Sequence, residues 1–350
     1  MQTNINLKEA SLSKLITHHI GNKSHEGQLI LRDEDTQVAD DETENYLSSY
    51  FLDTLKTEEV FELTHTIDLQ HNPVYTLAQD LLNDRSRFIE ISQKLGQLLF
   101  ESSTHPRIKE GKLSIAIFEQ VHYDDEVCTA IGIFKSETSV PFLQIHEMES
   151  NYAFSHDFGF ELKGLDKACL IIDRNQENGF SLLIRDHASK QLEAQYWTED
   201  FLGVRPMSND YNLTKQYLSL TKDFVVNTAS EDFMMSPPEK IDILNKTMDY
   251  FKGNETFDKE DFSKSIFPDE KMQDAFMSFD NENDELHHHH NSDSFPISQR
   301  AVKSQSNVYK SVLKLDKNFS VYIHGDKSMI ERGMEPNGRK FYKLYYENES

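Results

Sequence analysis

Two cysteines and a single tryptophan in 350 residues narrow the chemistry before any element is placed. Cys128 and Cys169 both lie in apolar, strand-like runs. They are expected as buried reduced thiols, which fits a cytosolic protein better than a disulfide-stapled one. There is no Cys-x-x-Cys pair for zinc, no glycine-rich phosphate loop, no dinucleotide fingerprint and no Gly-x-Ser-x-Gly elbow. No run of about 18 apolar residues occurs, so no membrane span is expected. Met1 to Ile20 is polar and lacks the apolar core of a secretory signal. His18 and His19 are adjacent and face different ways in any element, so surface or capping roles are expected of them. His146 and His156, near Glu147, Glu149 and Asp157, straddle an expected turn and do not converge as metal ligands must. No cofactor and no metal is expected.

Acid, by contrast, is abundant: the formal net charge is −24. Such a charge repels phosphate at long range and argues against simple coating of DNA. Screening confines that repulsion to roughly 8–10 Å at physiological salt, so a local basic face can still act. The distribution is uneven. Residues 33–62 hold eleven acids against Lys56 alone, and residues 231–285 hold sixteen acids against six lysines. Carboxylates at 33–62 lack the glycine and terminal glutamate of a calcium loop and read as a solvated helix face. His287 to His290 reads as a low-complexity loop at a domain junction.

Apolar spacing predicts the fold class: α+β, with helices packed on an antiparallel meander sheet, an acidic helical region and a small C-terminal α/β module. The corresponding ranges are 1–200, 201–290 and 295–350. Leu12 to Ile20 suits a helix or strand, and Gln28–Arg32 a strand. Tyr46, Leu47, Tyr50, Phe51 and Leu55 keep helical spacing. A long helix of about seven turns is expected from Pro73. Six antiparallel strands follow over 111–187, beginning with a hairpin around Asp124-Asp125. Phe201-Leu202-Gly203 reads as a helix end, Arg205-Pro206 as a turn, and Tyr211–Val226 as an amphipathic helix. Pro237-Pro238 and Pro268 start further helices. In the tail, Ser298–Tyr309 is expected as a helix, 311–316, 319–325 and 340–347 as strands, and 327–334 as a turn or short helix. Glu119, Asp125, Lys135, Asp173 and Arg185 read as charges at hairpin ends, not as a nuclease centre.

The tail reverses the charge of the chain. Between Ile297 and Tyr346 stand ten basic residues and four acids, with Tyr309, Phe319, Tyr322, Phe341, Tyr342, Tyr345 and Tyr346 interleaved. Cations release counterions from phosphates and flat rings stack on bases, so this is the pattern a polyanion site needs. The same pattern arises when aromatics pack a sheet and lysines line its wet side. The candidate contacts are Lys303, Lys310, Lys314, Lys317, Arg339, Lys340 and Lys343, with Arg205 and Lys215 as weaker candidates.

Four stretches carry a family resemblance: LSKLITHHIGNKSHEGQLILRD, FEQVHYDDEVCTAIGIFKSE, YWTEDFLGVRPMSNDYNLTKQYLSLTKDFV, and the tail from ISQRAVKSQSNVYK to KFYKLYYE. They lie in family order over nearly the whole chain, which resembles the bacterial nucleoid-associated proteins of the NdpA type, with a tail similar to the Bacteroidetes branch. The resemblance implies a non-catalytic, cytoplasmic, nucleoid-located protein with DNA as partner. Arg205 and Lys215 are taken from a stretch that matches. The acidity supports an alternative, an adaptor reaching the nucleoid through a basic protein partner; a cryptic metal-dependent nuclease is a third reading. A homodimer is compatible with paired weak sites.

Overall fold

The computed structural model describes residues 4–186, 195–287, 292–306, 309, 312–315, 319–322 and 329–346. The chain packs as two compact units, one ending at Met207 and one beginning at Ser208.

The first unit is built on strands β1 (Ile5–Asn6), β2 (Ser11–Ile20), β3 (Leu29–Ile30), β4 (Val60–Leu63), β5 (Gly111–Tyr123), β6 (Glu126–Ser136), β7 (Val140–Glu147), β8 (Tyr152–Gly159), β9 (Lys167–Ile172), β10 (Ser181–Asp186) and β11 (Val204–Pro206). Nine of them form one antiparallel sheet in the order β11-β4-β10-β9-β6-β5-β2-β3, with β1 also on β5. The hairpin at Asp124-Asp125 forms where expected, Asp124 taking the left-handed backbone (φ 53°) that an aspartate tolerates in a tight turn.

Both faces of this sheet are covered, which explains why its strands are apolar at nearly every position. Ile115, Ile117, Ile131, Ile133 and Ile171 pack against helices α2 (Pro73–Asn83) and α3 (Phe88–Ser102), through Ala78, Leu81, Ile91 and Leu95. The alternate positions Ala116, Phe118, Ala130, Phe134 and Leu170 pack against helix α1 (Asp41–Leu52), through Tyr50, Phe51 and Leu52. Phe51 stacks on Phe134 at 4.3 Å between ring centroids. Cys128 and Cys169 are free and buried. They belong to opposite faces, so no disulfide can join them.

Several expectations are corrected here. Residues 11–20 take the strand of the two forms expected, since Ile16 and Ile20 go to one face and Leu15 to the other. The seven-turn helix is two helices. The Asp84 carboxylate accepts from Ser86 N at 3.0 Å and Ser86 Oγ at 2.6 Å, and the chain turns there. Arg205-Pro206 lies in edge strand β11, not a turn, where proline's missing N–H costs nothing. The meander is interrupted: β7 and β8 pair only with each other, outside the main sheet. His18 is buried, not on the surface. Its Nδ1 accepts from Arg32 N at 3.0 Å, which leaves Nε2–H to donate to Ser92 Oγ at 3.1 Å.

Lys135 is likewise no hairpin-end charge. It is fully buried and sits beside Lys167 in the β6–β9 register. Lys135 Nζ donates to Glu137 Oε1 at 2.8 Å, to Lys109 O at 2.7 Å and to Tyr196 Oη at 3.1 Å. Lys167 pairs with Asp186 at 2.6 Å. Both ammonium groups lie over the Tyr196 ring, at 5.4 and 5.0 Å from its centroid. Burial pushes the Lys135 pKa down while Glu137 opposes it, and burial followed by the Glu137 charge pushes the Tyr196 phenol up. Tyr196 opens the π-helical segment Tyr196–Leu202, ended by Gly203 in the left-handed region (φ 63°), the helix end read from the sequence.

In the second unit, helices Asp210–Asp223, Pro237–Gly253, Lys259–Ile266 and Glu270–His287 enclose an aromatic core of Tyr217, Phe224, Phe251, Phe257, Phe262, Phe276 and Phe295. Ser236 and Glu239 close a capping box ahead of Pro237, and Asp269 rather than Pro268 caps the last of these helices, accepting from Met272 N at 2.9 Å. A strand pair, Thr256–Asp258 with Ser294–Pro296, carries the chain across residue 290 and stacks Phe257 on Phe295 at 4.7 Å. Lys259 and Asp280 make a buried ion pair. Helix Gln299–Gln305 forms within the expected range, with Ser298 as its cap. His287 ends its helix, and His288 to His290 lie outside the described residues. Among the described residues no helix is long and apolar enough to cross a membrane.

Two stability outcomes follow. Burial holds the His18 imidazole down at about 4, against 6.5 when free. The unfolded chain therefore binds the extra proton first, and the stability present above pH 6.5 is lost as the pH falls towards 4, by about 3 kcal/mol in all. Thermal midpoints measured from pH 7 to 5 should fall for the native chain and fall less steeply for His18→Gln. Replacing Lys135 with alanine strands Glu137 beside a buried phenol and should cost about 3–5 kcal/mol, read as a lowered midpoint of chemical denaturation.

Candidate nucleic-acid interface

The basic tail packs on helix Pro237–Gly253 at Ile241. Ile241 packs against Leu315, Val321, Ile330 and Tyr342, and these come from two short hairpins. The first pairs β12 (Val312–Leu315) with β13 (Phe319–Tyr322) of this tail series, Lys314 standing opposite Ser320. The second pairs Ile330–Met334 with Lys340–Leu344. The segment expected as a turn or short helix over 327–334 is thus a strand from Ile330, because its alternate residues meet a partner: Ile330 faces Leu344 and Arg332 faces Tyr342.

Period-two alternation sorts the side chains of the second hairpin. One face carries Glu331 with Lys343, then Gly333 with Phe341, then Arg339 in the turn; the other carries Arg332 with Tyr342 and Met334 with Lys340. On the first face Phe341 neighbours Lys343 along the strand; the second face, through Ile330 and Tyr342, is the one packed on Ile241. Phe341 lies over Gly333, where any Cβ would strike its ring, so the glycine is what lets that ring lie flat. The bend expected at Pro336-Asn337-Gly338 forms, with Gly338 at φ 83° and Asn337 Oδ1 accepting from Arg339 N at 3.0 Å.

Electrostatics divide the cations. Lys343 Nζ is 3.6 Å from Glu331 Oε2 and 5.1 Å from the Tyr345 ring centroid. Tyr345 Oη donates to the same Glu331 oxygen at 2.7 Å. That hydroxyl, and then Lys343, hold the Glu331 carboxyl below the usual carboxylate range, so Glu331 stays ionised and occupies Lys343. Arg339 and Lys340 are exposed. Lys303 is exposed on helix Gln299–Gln305. Lys314 lies within its strand, and Lys310 and Lys317 lie outside the described residues.

The two weaker candidates fall in different units. Arg205, in the first, pairs across the strands with Glu62 at 2.7 Å. Lys215 is half-buried on helix Asp210–Asp223 of the second. Arg332 was not among the sequence candidates. The signal for it is the strand pairing itself, which a turn at 327–334 conceals.

The charges weighed as a nuclease set are engaged separately. Glu119 takes Arg85 at 2.5 Å and Thr129 at 2.8 Å, Asp173 accepts from Gln176 at 2.6 Å, and Arg185 donates to Thr54 O at 3.2 Å. Among the described residues no group of three or more histidine, cysteine, aspartate or glutamate side chains could hold a metal ion.

No curated protein matches the chain. A family model described as nucleoid-associated protein YejK matches residues 16–339, a span that runs from β2 of the sheet into the turn of the last hairpin and stops short of Lys340 and Lys343. The chain belongs to the nucleoid-associated protein YejK family.

Proposed function

We propose that this protein is a non-catalytic component of the nucleoid that binds DNA with little sequence preference through its basic tail. The reading rests on one observation: the hairpin Ile330–Leu344 strings the exposed cations Arg339, Lys340 and Lys343 along one strand beside the exposed ring of Phe341, with Arg332 exposed on the facing strand. Guanidinium and ammonium groups spaced along a strand meet successive phosphates, and a ring between them offers a face for stacking. Nothing in such a contact reads base edges, so register on the duplex is fixed without sequence information. Lys303, Lys310, Lys314 and Lys317 extend the set along the tail. Family membership supports the nucleoid as the place of action.

A second reading is supported by the acidity of the rest of the chain. With a net charge of −24, the protein would act as an adaptor, offering carboxylates to a basic nucleoid protein while the tail plays a structural part.

Fluorescence anisotropy of labelled duplex DNA with the full chain, at about 50 and 200 mM salt, separates the two. Direct contact predicts binding that weakens steeply with salt. Replacing Arg339, Lys340 and Lys343 together by alanine should weaken it at least tenfold and flatten the salt slope by about 2–3, while Arg205→Ala, whose charge is already met by Glu62, should change little. Equal binding by the triple variant, or none by the native chain at low salt, would remove the tail from the mechanism and favour the adaptor. A gain-of-function arm uses Glu331→Gln, which releases Lys343: affinity should rise severalfold, and an unchanged affinity would mean that Lys343 makes no phosphate contact.

A further inference from the structure

The ribbon β7–β8 is inserted between two central strands yet lies outside the sheet. Its register pairs Pro141 with Phe158, Leu143 with His156, Ile145 with Phe154 and Glu147 with Tyr152 on one face; Phe142 with Asp157, Gln144 with Ser155 and His146 with Ala153 lie on the other. Beyond Phe142, the second face is polar and satisfies itself. His146 Nε2 is 2.7 Å from Ser155 Oγ, which donates to Gln144 Oε1 at 3.4 Å. The first face is apolar and bare: Leu143 is 75% exposed, Phe154 70%, Tyr152 63%, and Ile145 and Phe158 61% each. In the central sheet such side chains are covered on both sides.

The ribbon is nevertheless held firmly at its base. Asp166 accepts from Glu137 N at 2.7 Å and from Thr138 N at 3.1 Å, tying the outgoing strand to the returning one. Phe160 stacks on Tyr50 of α1 at 6.4 Å. A two-stranded ribbon alone is marginal in water, so an anchored arm with one greasy face needs a cover.

We propose that this face is the interface with a second copy of the chain, the two ribbons packing face to face with antiparallel axes. Area supports it. The five large side chains present on the order of 600 Å² of apolar surface, so a two-fold pairing removes on the order of 1,200 Å², the size of a specific interface. Charge selects the occupant. From Val140 to Leu162 there is no lysine or arginine, so the arm offers a phosphate backbone nothing. The centre of the apolar face has no carboxylate to offer a basic protein. The one acidic residue on that face, Glu147, lies at its tip. Antiparallel stacking sets the two Glu147 carboxylates about 20 Å apart along the strands, well beyond the screening length, with like apolar rows between them. Parallel stacking would bring them together.

The test is sedimentation velocity on the full chain over about 1–50 µM, the range in which an interface of this size associates. The native protein should sediment with twice the 40.7 kDa chain mass. Ile145→Glu with Phe154→Glu, a cross-strand pair on the apolar face, should give the single-chain mass, a loss of at least 100-fold in dimer affinity. Gln144→Glu with Ser155→Glu adds the same charge to the neighbouring pair on the polar face and should leave the dimer intact. A milder pair without new charge, Leu143→Ala with Phe158→Ala, should weaken the dimer at least tenfold and keep the native circular dichroism. A native chain that is monomeric throughout, an apolar-face variant that stays dimeric, or equal dissociation by the polar-face control would each overturn the proposal.

Discussion

Two ammonium groups lie side by side out of water in the first unit, and much of its architecture answers that fact. Lys135 and Lys167 are neighbours across β6 and β9. Each buried ion loses several kcal/mol of hydration, and their mutual repulsion adds to the cost. Glu137 and Asp186 supply the countercharges, Lys109 a carbonyl, and Tyr196 both a hydroxyl and the negative face of its ring. These partners come from the ends of β6 and β10, the segment ahead of β5 and the start of the π-helical turn. The network therefore fixes where the sheet's central strands end. Glu137 is also where the ribbon departs, its backbone N–H held by Asp166. A charge-balanced ionic cluster is thus the root of the arm, and the arm's direction is set by hydrogen-bond geometry, not by apolar packing alone.

The two kinds of strand in this unit differ in a way their sequences express. Strands of the main sheet, such as LSIAIF and AIGIF, are apolar at consecutive positions because helices cover both faces. The ribbon strand VPFLQIHE alternates beyond its first residues, Leu143 and Ile145 against Gln144 and His146. That alternation is the mark of a strand with one wet face, and it separates the ribbon from the meander it was grouped with. The hairpin turn at Asp124-Asp125, the cap-and-proline start of α2 and the Gly203 helix end were legible because each rests on local backbone chemistry. The break at Asp84 rests on a side chain turning back onto Ser86, which competes with a helical pattern that is otherwise unbroken. His18 and Lys135 were not legible, since their burial depends on partners 74 and 61 residues away in sequence.

The candidate interface was legible in composition and not in geometry. Counting cations among aromatics located the tail, but only pairing in register decides which ring shares a face with which charges. It brings Arg332 into the set, divides Arg339 and Lys343 from Lys340, and places Glu331 against Lys343. A ladder elsewhere sets Glu62 directly across from Arg205, so that charge already has a carboxylate beside it. Composition reports how many charges a segment holds; the ladder decides which of them are already answered.

The placement of the two cysteines carries a practical consequence. Cys128 and Cys169 sit in separate cores on opposite faces of one sheet, and burial pushes both thiols upward in pKa. Thiolate is the reactive form, so neither side chain is a good nucleophile at neutral pH. The native chain is in effect silent to thiol-directed reagents while it stays folded. A single cysteine placed at an exposed position, such as the ribbon tip around Ser150, would be the one group that a maleimide dye or spin label modifies quickly, with no need to remove the native pair.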